Sequence, residues 1–457
     1  MTAGKTGVGF SMSTVDSSSS SSDPVDAEPD VAIIGLGYVG LTLAAALAST
    51  GLTVLGVEHD PVAAAAIRAG GSPFYEVGLV ETLASLPPGR IRLDTSMPDR
   101  LPPAVVICVG TPVDSWNHEP DLTAFDQVVV AVAERVSAET LVVVRSTVPV
   151  GTTQQRVLPQ LAARVATPLL AFCPERIIQG QALNELRQLP QVIGALNAAS
   201  AEAAERLFGH LVDRLITVSS PAAAELVKLV NNAHTDIIYG FGNEVAQIAE
   251  VLRLDAEEVI HAANLDYPRP DISRPGFVGG SCLTKDPYLL LHSVAPTGLR
   301  PALVASARAV NESVPAQVVD RVLTEIKSAG HTPSTAKVLV CGIAYKGRPV
   351  TDDVRGSAAS AMVGLLADRV GSVLGQDFLV SDDRIAALGY QPTSLLEGLR
   401  DATAVLFLVD HPDYATLEPD TVAAAMRSPA IVFDMWGVLS PAFDNMSQLR
   451  YLRWGRG

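Results

Sequence analysis

Hydrophobic and polar positions along this chain fall into a repeating order. From Asp30 onward, short apolar runs closed by Gly, Thr or Ser are separated by longer stretches with helical spacing. Val31-Ala32-Ile33-Ile34 is the first run, an Ala/Leu-rich helix follows through Ala48, and Leu52 to Val57 makes the next strand. Val105 to Val109, Leu141 to Val144 and Leu169 to Cys173 continue the series. Strands alternating with helices predict a parallel sheet covered on both faces. Ser220-Pro221 then opens a long helix, with Ser as N-cap and Pro in the first turn. Its apolar positions Leu226, Leu229, Val230, Ala233, Ile237 and Phe241 recur at helical spacing. Asp255 with Glu258 has the form of a capping box for the next helix, and the helical section runs to about Asn311. A second series begins at Lys337, with strands expected over Val338 to Cys341, Phe378 to Ser381, Ala404 to Val409 and Ile431 to Asp434. The predicted fold class is α/β: two Rossmann-like domains joined by a long helical spine. Its expected parts are a disordered Ser-rich tail over 1–28, a first α/β domain over 29–218, a helical domain over 219–315 and a second α/β domain over 316–457.

Composition narrows the picture. At 457 residues and 48% hydrophobic, the chain can bury two or three cores. Its net charge of -16 argues against a nucleic-acid or anionic-membrane surface, yet a local cluster of Lys and Arg can still hold an anionic small molecule. No apolar run reaches the length of a membrane span, and the first residues lack the pattern of a signal peptide. The four cysteines show no metal-ligand spacing, so no metal is expected. Cys108, Cys173 and Cys341 lie in apolar runs and read as buried thiols, in keeping with a reducing cytoplasm.

Two sites stand out. Gly35-Leu36-Gly37-Tyr38-Val39-Gly40 follows a strand and opens a helix. Its glycines permit a tight turn and close approach of a pyrophosphate to the helix N-terminus. Glu58 closes the second strand about 20 residues further on, where a carboxylate accepts hydrogen bonds from a ribose and repels a 2′-phosphate. Strand, turn, helix and acid together predict NAD rather than NADP. Gly110-Thr111-Pro112 and Ser146-Thr147 each follow a strand on the edge that faces the ligand crevice, though either could simply close a loop.

The second site is Gly279-Gly280-Ser281-Cys282-Leu283-Thr284-Lys285-Asp286. The glycine pair lets a substrate carbon come close to the thiol, and Lys285 favours the thiolate. A small buried cysteine is the usual fate of a lone Cys, but glycines and charges are poor company for an apolar core, so Cys282 reads as a nucleophile. Lys228 and Asn232, four apart on the long helix, share a face and could both donate to one oxyanion. By spacing alone a solvated Lys228 is the simpler reading. Glu175, in Pro174-Glu175-Arg176, is a general base or water-orienting group, or else one partner of an ion pair. Arg355 could clamp a phosphate or a ring carbonyl, or be held by its neighbours Asp352 and Asp353.

Taken in order, GLGYVG, PFYEVGL, VGTP, STVPVGTT, PERIIQGQAL, the Lys228/Asn232 helix, GGSCLTKD, GIAYKG and DDVRGS resemble the nucleotide-sugar 6-dehydrogenases, the UDP-glucose/GDP-mannose dehydrogenase family, over roughly residues 30 to 450. The resemblance implies a four-electron, NAD-dependent oxidation of C6 of a sugar to the uronic acid. Cys282 would carry the thiohemiacetal and then the thioester. Lys228 and Asn232 would stabilise the oxyanions, Glu175 and Asp286 would handle protons and water, and Thr147 would place a water. Gly279, Gly280, Lys346 and Arg355 would contact the nucleotide sugar, and Arg269 would reach a partner subunit's site. A homodimer along the long helix is implied as well. Three departures touch the substrate loops: Val77 stands where Pro is frequent, Gly356 where an acid is common, and Ser381-Asp382-Asp383 where an aromatic-Asp-Pro often occurs.

The sugar is less legible. PERIIQGQALNELRQLPQVIG resembles the N-acetylhexosamine branch, as does Pro287-Tyr288, whereas GGSCLTKD resembles the UDP-glucose branch. A UDP-sugar is expected over GDP-mannose. Two other readings compete. A single-step β-hydroxyacid dehydrogenase would have no need of Cys282 or of a second α/β domain. A nucleotide-sugar sensor would have no need of the thiol.

Overall fold

Strand β1 (Val31–Ile34) is buried along its whole length, as a central strand covered on both faces must be. It lies between β2 (Val54–Val57) and β4 (Ala104–Ile107), parallel to both, with Val31 opposite Val54 on one side and Ala104 on the other. The eight-stranded sheet runs β3-β2-β1-β4-β5-β6-β7-β8, adding β3 (Ile91–Asp94), β5 (Leu141–Val144), β6 (Leu169–Phe172), β7 (Gln191–Ala195) and β8 (Leu215–Val218). Its pairings are parallel except β6 with β7. The order reverses between β1 and β4, which opens a ligand crevice at their C-terminal ends. The computed structural model describes residues 28–457; the Ser-rich segment before them lies outside that range.

The second sheet has six strands in the order β11-β10-β9-β12-β13-β14. They are β9 (Lys337–Cys341), β10 (Ser372–Gln376), β11 (Gln391–Pro392), β12 (Ala404–Phe407), β13 (Ala430–Asp434) and β14 (Leu449–Arg453). All are parallel, and the order reverses between β9 and β12. One expectation is corrected here: Phe378 to Ser381 is not a strand. The strand ends at Gln376, and the Asp377 carboxylate accepts from the N–H groups of Leu379 and Val380, curling the apolar run into a turn.

Between the sheets runs the spine helix Pro221–Leu252. Ser220 caps it through the Ala223 N–H and Pro221 occupies the first turn. At 32 residues it spans roughly 48 Å. Its apolar repeat divides between two faces. Leu229 and Ala233 are buried, while Leu226, Val230 and Phe241 are exposed, and Ile248 and Val251 extend the exposed side. The second long helix, Ala302–Ser328, packs along the spine. It passes through Asn311 and through the expected boundary at 315 without a break. Asp255 does cap the following helix, through the N–H of Glu257 rather than that of Glu258. Among the described residues no helix is long and apolar enough to cross a membrane.

Candidate active site

The cofactor turn carries its own test of fit. Gly35 has φ +89°, a conformation that side chains resist, and a Cβ on Gly40 would sit 1.8 Å from the Gly35 carbonyl oxygen. A Cβ on Gly37 would meet nothing within 4 Å, so open space lies over the N-terminus of the helix Tyr38–Ser49. A pyrophosphate fits that cradle, facing backbone N–H groups and the helix dipole. Glu58 is buried; its carboxylate accepts from Leu36 N at 2.8 Å and from Asp60 N at 2.9 Å, which fixes it beside the turn with lone pairs remaining for a ribose. The Thr111 hydroxyl donates to the Thr147 carbonyl and the Ser146 hydroxyl to the Val109 carbonyl. Those contacts lace Gly110-Thr111-Pro112 to Ser146-Thr147 at the ends of β4 and β5, the ligand edge of the sheet.

The Cys282 turn is the short helix Gly280–Leu283. The Gly280 N–H donates to the Gly356 carbonyl at 3.1 Å, so two motifs distant in sequence meet in one backbone contact. The close approach leaves no room for side chains: a Cβ on Gly280 would lie 2.7 Å from the Tyr345 ring. Cys282 itself is exposed, while Cys173 and Cys341 are buried and Cys108 is half-buried. Burial pushes the Cys173 thiol up to about 12, which leaves it inert. Burial also raises the Tyr345 hydroxyl, and the negative charge of a Cys282 thiolate adds to that rise, with Tyr345 of GIAYKG packed against the same turn.

Lys228 is buried, against the simpler expectation of a solvated helix lysine, and its ammonium has no hydrogen-bond or ion-pair partner among the described residues. One turn on, Asn232 donates to Asp286 Oδ2 at 2.5 Å. Asp286 is fully buried, and Lys285 lies 2.9 Å from its other oxygen, an ion pair rather than an aligned hydrogen bond. Asn232, Lys285 and Asp286 thus form one cluster against the spine, with Lys228 one turn before Asn232 and the exposed thiol four residues before Asp286.

Glu175 is not a free base here. One carboxylate oxygen is bound by the buried Arg145 guanidinium, and the other accepts from Arg176 N and Ile177 N at 2.6 and 2.8 Å. The ion-pair reading therefore holds, with Arg145 rather than Arg176 as the cation. Arg145 precedes Ser146 at the end of β5 and had no signal beyond that position.

Arg355 is held by its neighbour Asp353, through Nε and Nη2 at 2.9 and 2.7 Å. Burial alone would raise the Asp353 carboxyl, but the Arg355 hydrogen bonds and charge hold it below its ordinary value. Lys346 donates to the Gln179 carbonyl at 2.7 Å, and burial brings its ammonium down to about 8. Arg269 stands apart, exposed, donating to the Tyr267 hydroxyl at 2.7 Å. Sequence reasoning assigned no role to Glu76, although it lies in PFYEVGL. Its buried carboxylate accepts from the Tyr38 hydroxyl, Gly180 N and Ala182 N, tying the cofactor turn to the 176–182 loop that meets Lys346.

Comparison with known proteins gives the same answer as the geometry. Three domain signatures of one family match in order: the NAD binding domain over residues 29–212, the central domain over 222–313 and the UDP binding domain over 339–441. The chain is similar to the UDP-N-acetyl-D-mannosamine dehydrogenase of Pyrococcus horikoshii, 32% identical over 88% of this chain and 94% of that protein. A solved structure of the UDP-D-ManNAc dehydrogenase from that organism superposes with a TM-score of 0.84 at 29% identity, covering 93% of this chain and 99% of the other. A UDP-glucose dehydrogenase from Pyrobaculum islandicum follows at a TM-score of 0.79 and 27% identity, covering 94% and 98%. This chain belongs to the UDP-glucose/GDP-mannose dehydrogenase family, NAD-dependent dehydrogenases of nucleotide sugars.

Proposed function

We propose that this enzyme oxidises C6 of a UDP-N-acetylhexosamine, UDP-N-acetylmannosamine first among them, through to the uronic acid. The observation that carries the reading is the cluster itself. An exposed thiol sits on a glycine turn that packs against Tyr345 of the C-terminal domain, and four residues on Asp286 is bonded to Asn232 of the spine, one turn beyond the buried Lys228. The similarity to the Pyrococcus enzyme supports the choice of sugar.

NAD, held by Gly35, Gly37, Tyr38, Val39, Gly40 and Glu58 and flanked by Gly110-Thr111-Pro112 and Ser146, supplies the hydride acceptor at both oxidation levels. The chain does the rest. Lys228 and Asn232 donate to the C6 oxygen wherever negative charge develops on it, the buried ammonium most strongly. At the aldehyde level the Cys282 sulfur adds to the carbonyl carbon, and the oxygen takes a proton, giving a thiohemiacetal. At the acid level water adds to the thioester carbon, the C–S bond breaks, the uronate leaves and the thiol is restored. Asp286 accepts a proton in these steps, and Thr147 places the water. Glu175, bound by three donors, keeps one acceptor position with which to orient that water. Lys346 and Arg355 hold the nucleotide diphosphate, and Gly279 and Gly280, whose side-chain space is filled by Gly356 and Tyr345, seat the turn rather than leave room for the sugar.

The enzyme acts in the cytoplasm as a homodimer. Leu226, Val230, Phe241, Ile248 and Val251 expose an apolar stripe on the spine that a second copy would cover, and Arg269 lies outside its own site, where a neighbouring subunit could use it. The test is NADH formed per sugar, with limiting UDP-N-acetylmannosamine, UDP-N-acetylglucosamine, UDP-glucose and GDP-mannose in parallel. Two NADH per UDP-N-acetylmannosamine is expected. One NADH per sugar would overturn the four-electron reading, and turnover confined to UDP-glucose would overturn the choice of sugar.

A further inference from the structure

The spine presents more than Lys228 and Asn232 to the catalytic turn. Asp236 and Asn243 continue on the same side at one- and two-turn intervals. Each polar residue of this stripe is bonded toward a different part of the segment around the nucleophile. Asn232 holds Asp286, after the thiol. Asn243 donates to the Gly276 carbonyl at 2.9 Å and accepts from its N–H at 2.8 Å, before the thiol. Asp236 reaches the middle through Arg308 of the second long helix. Arg308 Nη1 donates to Asp236 Oδ1 at 2.6 Å and to the Leu283 carbonyl at 2.7 Å. Asn311 completes the junction by donating to Asp236 Oδ1 at 2.8 Å.

We propose that Arg308 is a positioning residue for the nucleophile: it caps the carbonyl next to Cys282 and locks the four-residue catalytic turn onto the spine. The proposal rests on the reading of Cys282 as the nucleophile. A single turn of helix has no intrahelical partners for its last carbonyls and little stability of its own. A guanidinium can serve two acceptors in fixed geometry. Arg308 and Asp236 are each 1% exposed, so water does not substitute readily. Among the described residues, Nε and Nη2 of Arg308 and Oδ2 of Asp236 have no hydrogen-bond partner. Burying these groups is therefore costly in stability, and holding the turn is what the cost secures. The exposed Glu312 lies 3.3 Å from Arg308 Nε as a peripheral charge contact.

The test compares Arg308→Lys, Asp236→Asn and the control Glu312→Gln in the full-length protein. An ammonium can meet Asp236 or the Leu283 carbonyl but not both in the same geometry. The rate of Cys282 alkylation by iodoacetamide across pH, read by mass spectrometry, reports the thiol directly, whether or not it is the nucleophile. Steady-state kinetics report the reaction. For Arg308→Lys, kcat falls by about 100-fold, as misplacement of a reacting group by about 1 Å would produce. KM values and NAD affinity stay within about twofold, and the alkylation profile shifts. Asp236→Asn, which keeps an acceptor at the same place, shifts the alkylation profile the same way; should Arg308→Lys not fold, this variant decides alone. Glu312→Gln behaves as the parent. Unchanged alkylation in both junction variants, or equal losses in NAD binding and kcat, would overturn the proposal.

Discussion

Replacing Gly356 by Ala tests whether the nucleophile's turn is pressed against the C-terminal domain as tightly as the structure shows. Gly356 has φ +59°, so any other side chain pays a backbone cost there. A Cβ would stand 2.9 Å from both Cγ2 and Oγ1 of Thr284 and 3.1 Å from the Gly280 carbonyl oxygen. Thr284 cannot yield freely, because its hydroxyl already donates to that carbonyl at 2.8 Å. The left-handed conformation costs about 1–2 kcal/mol and the overpacking about 1–3, so the substitution should destabilise by about 2–5 kcal/mol. Gly364 is the control. It lies inside the helix Ala358–Ala367 and a Cβ there meets nothing within 4 Å, so Gly364→Ala should stabilise by about 0.5–1 kcal/mol. Urea unfolding followed by tryptophan fluorescence reads both, since Trp436 and Trp454 lie in the C-terminal domain. Cys282 alkylation in the same samples reports whether the turn moves. An unchanged urea midpoint together with an unchanged alkylation rate for Gly356→Ala would refute the packing argument.

Three further outcomes are expected. Cys282→Ala should bind NAD with parent affinity, measured by fluorescence titration, and form no uronate above background; normal uronate release would remove the thioester from the mechanism. Glu58→Gln keeps an oxygen to accept from Leu36 N but loses the charge, so the preference for NAD over NADP in kcat/KM should fall by roughly 100-fold, the scale of a like-charge contact with a 2′-phosphate. An unchanged ratio would place the selectivity elsewhere. Lys346 is held down to about 8 by burial, so KM for the nucleotide sugar should rise by about tenfold per pH unit above that value, as its positive charge is lost. The sign for folding is the reverse: the lowered value means that burial of the charge opposes folding below about 8 and is relieved as pH climbs toward 10.5, so stability gains between those limits. A pH-independent KM in Lys346→Met, with the parent profile rising, would confirm the group; identical profiles would dismiss it.

The strands were legible because buried parallel strands are continuous apolar runs, and β1 and β5 fall where the runs do. Phe378 to Ser381 misled for the same reason. An apolar run marks burial, and Val380 is indeed buried, but the Asp377 side chain had already diverted the backbone. Glycines that a tight backbone turn demands, such as Gly35 and Gly40, were readable from spacing. Residues whose role depends on a partner far along the chain were not. Arg145 and Glu175 are thirty residues apart, and nothing local says that one will bury its charge against the other. Gly356 looked like a departure in a substrate loop. Three dimensions give it a reason, because the Thr284 methyl and hydroxyl fill the space that a side chain at 356 would need.

The placement of the thiol carries a mechanistic consequence of its own. Its turn is fastened to the C-terminal domain by Gly280 N–H on the Gly356 carbonyl, and to the spine through Asn232 and Asp286. The dinucleotide turn is joined to that unit by a different route, through Tyr38, Glu76 and the loop at Gly180. In the proposed mechanism a sugar held covalently on Cys282 would therefore be anchored to the spine and the C-terminal domain, apart from the turn at Gly35–Gly40. The proposed four-electron oxidation consumes two hydride acceptors for each uronate, so one would be replaced while the sugar stays in place. A bond to sulfur mounted outside the dinucleotide domain meets that requirement through geometry. A single-step dehydrogenase has no such need, and on the proposed mechanism the second α/β domain packed against the Cys282 turn is the structural counterpart of the second oxidation.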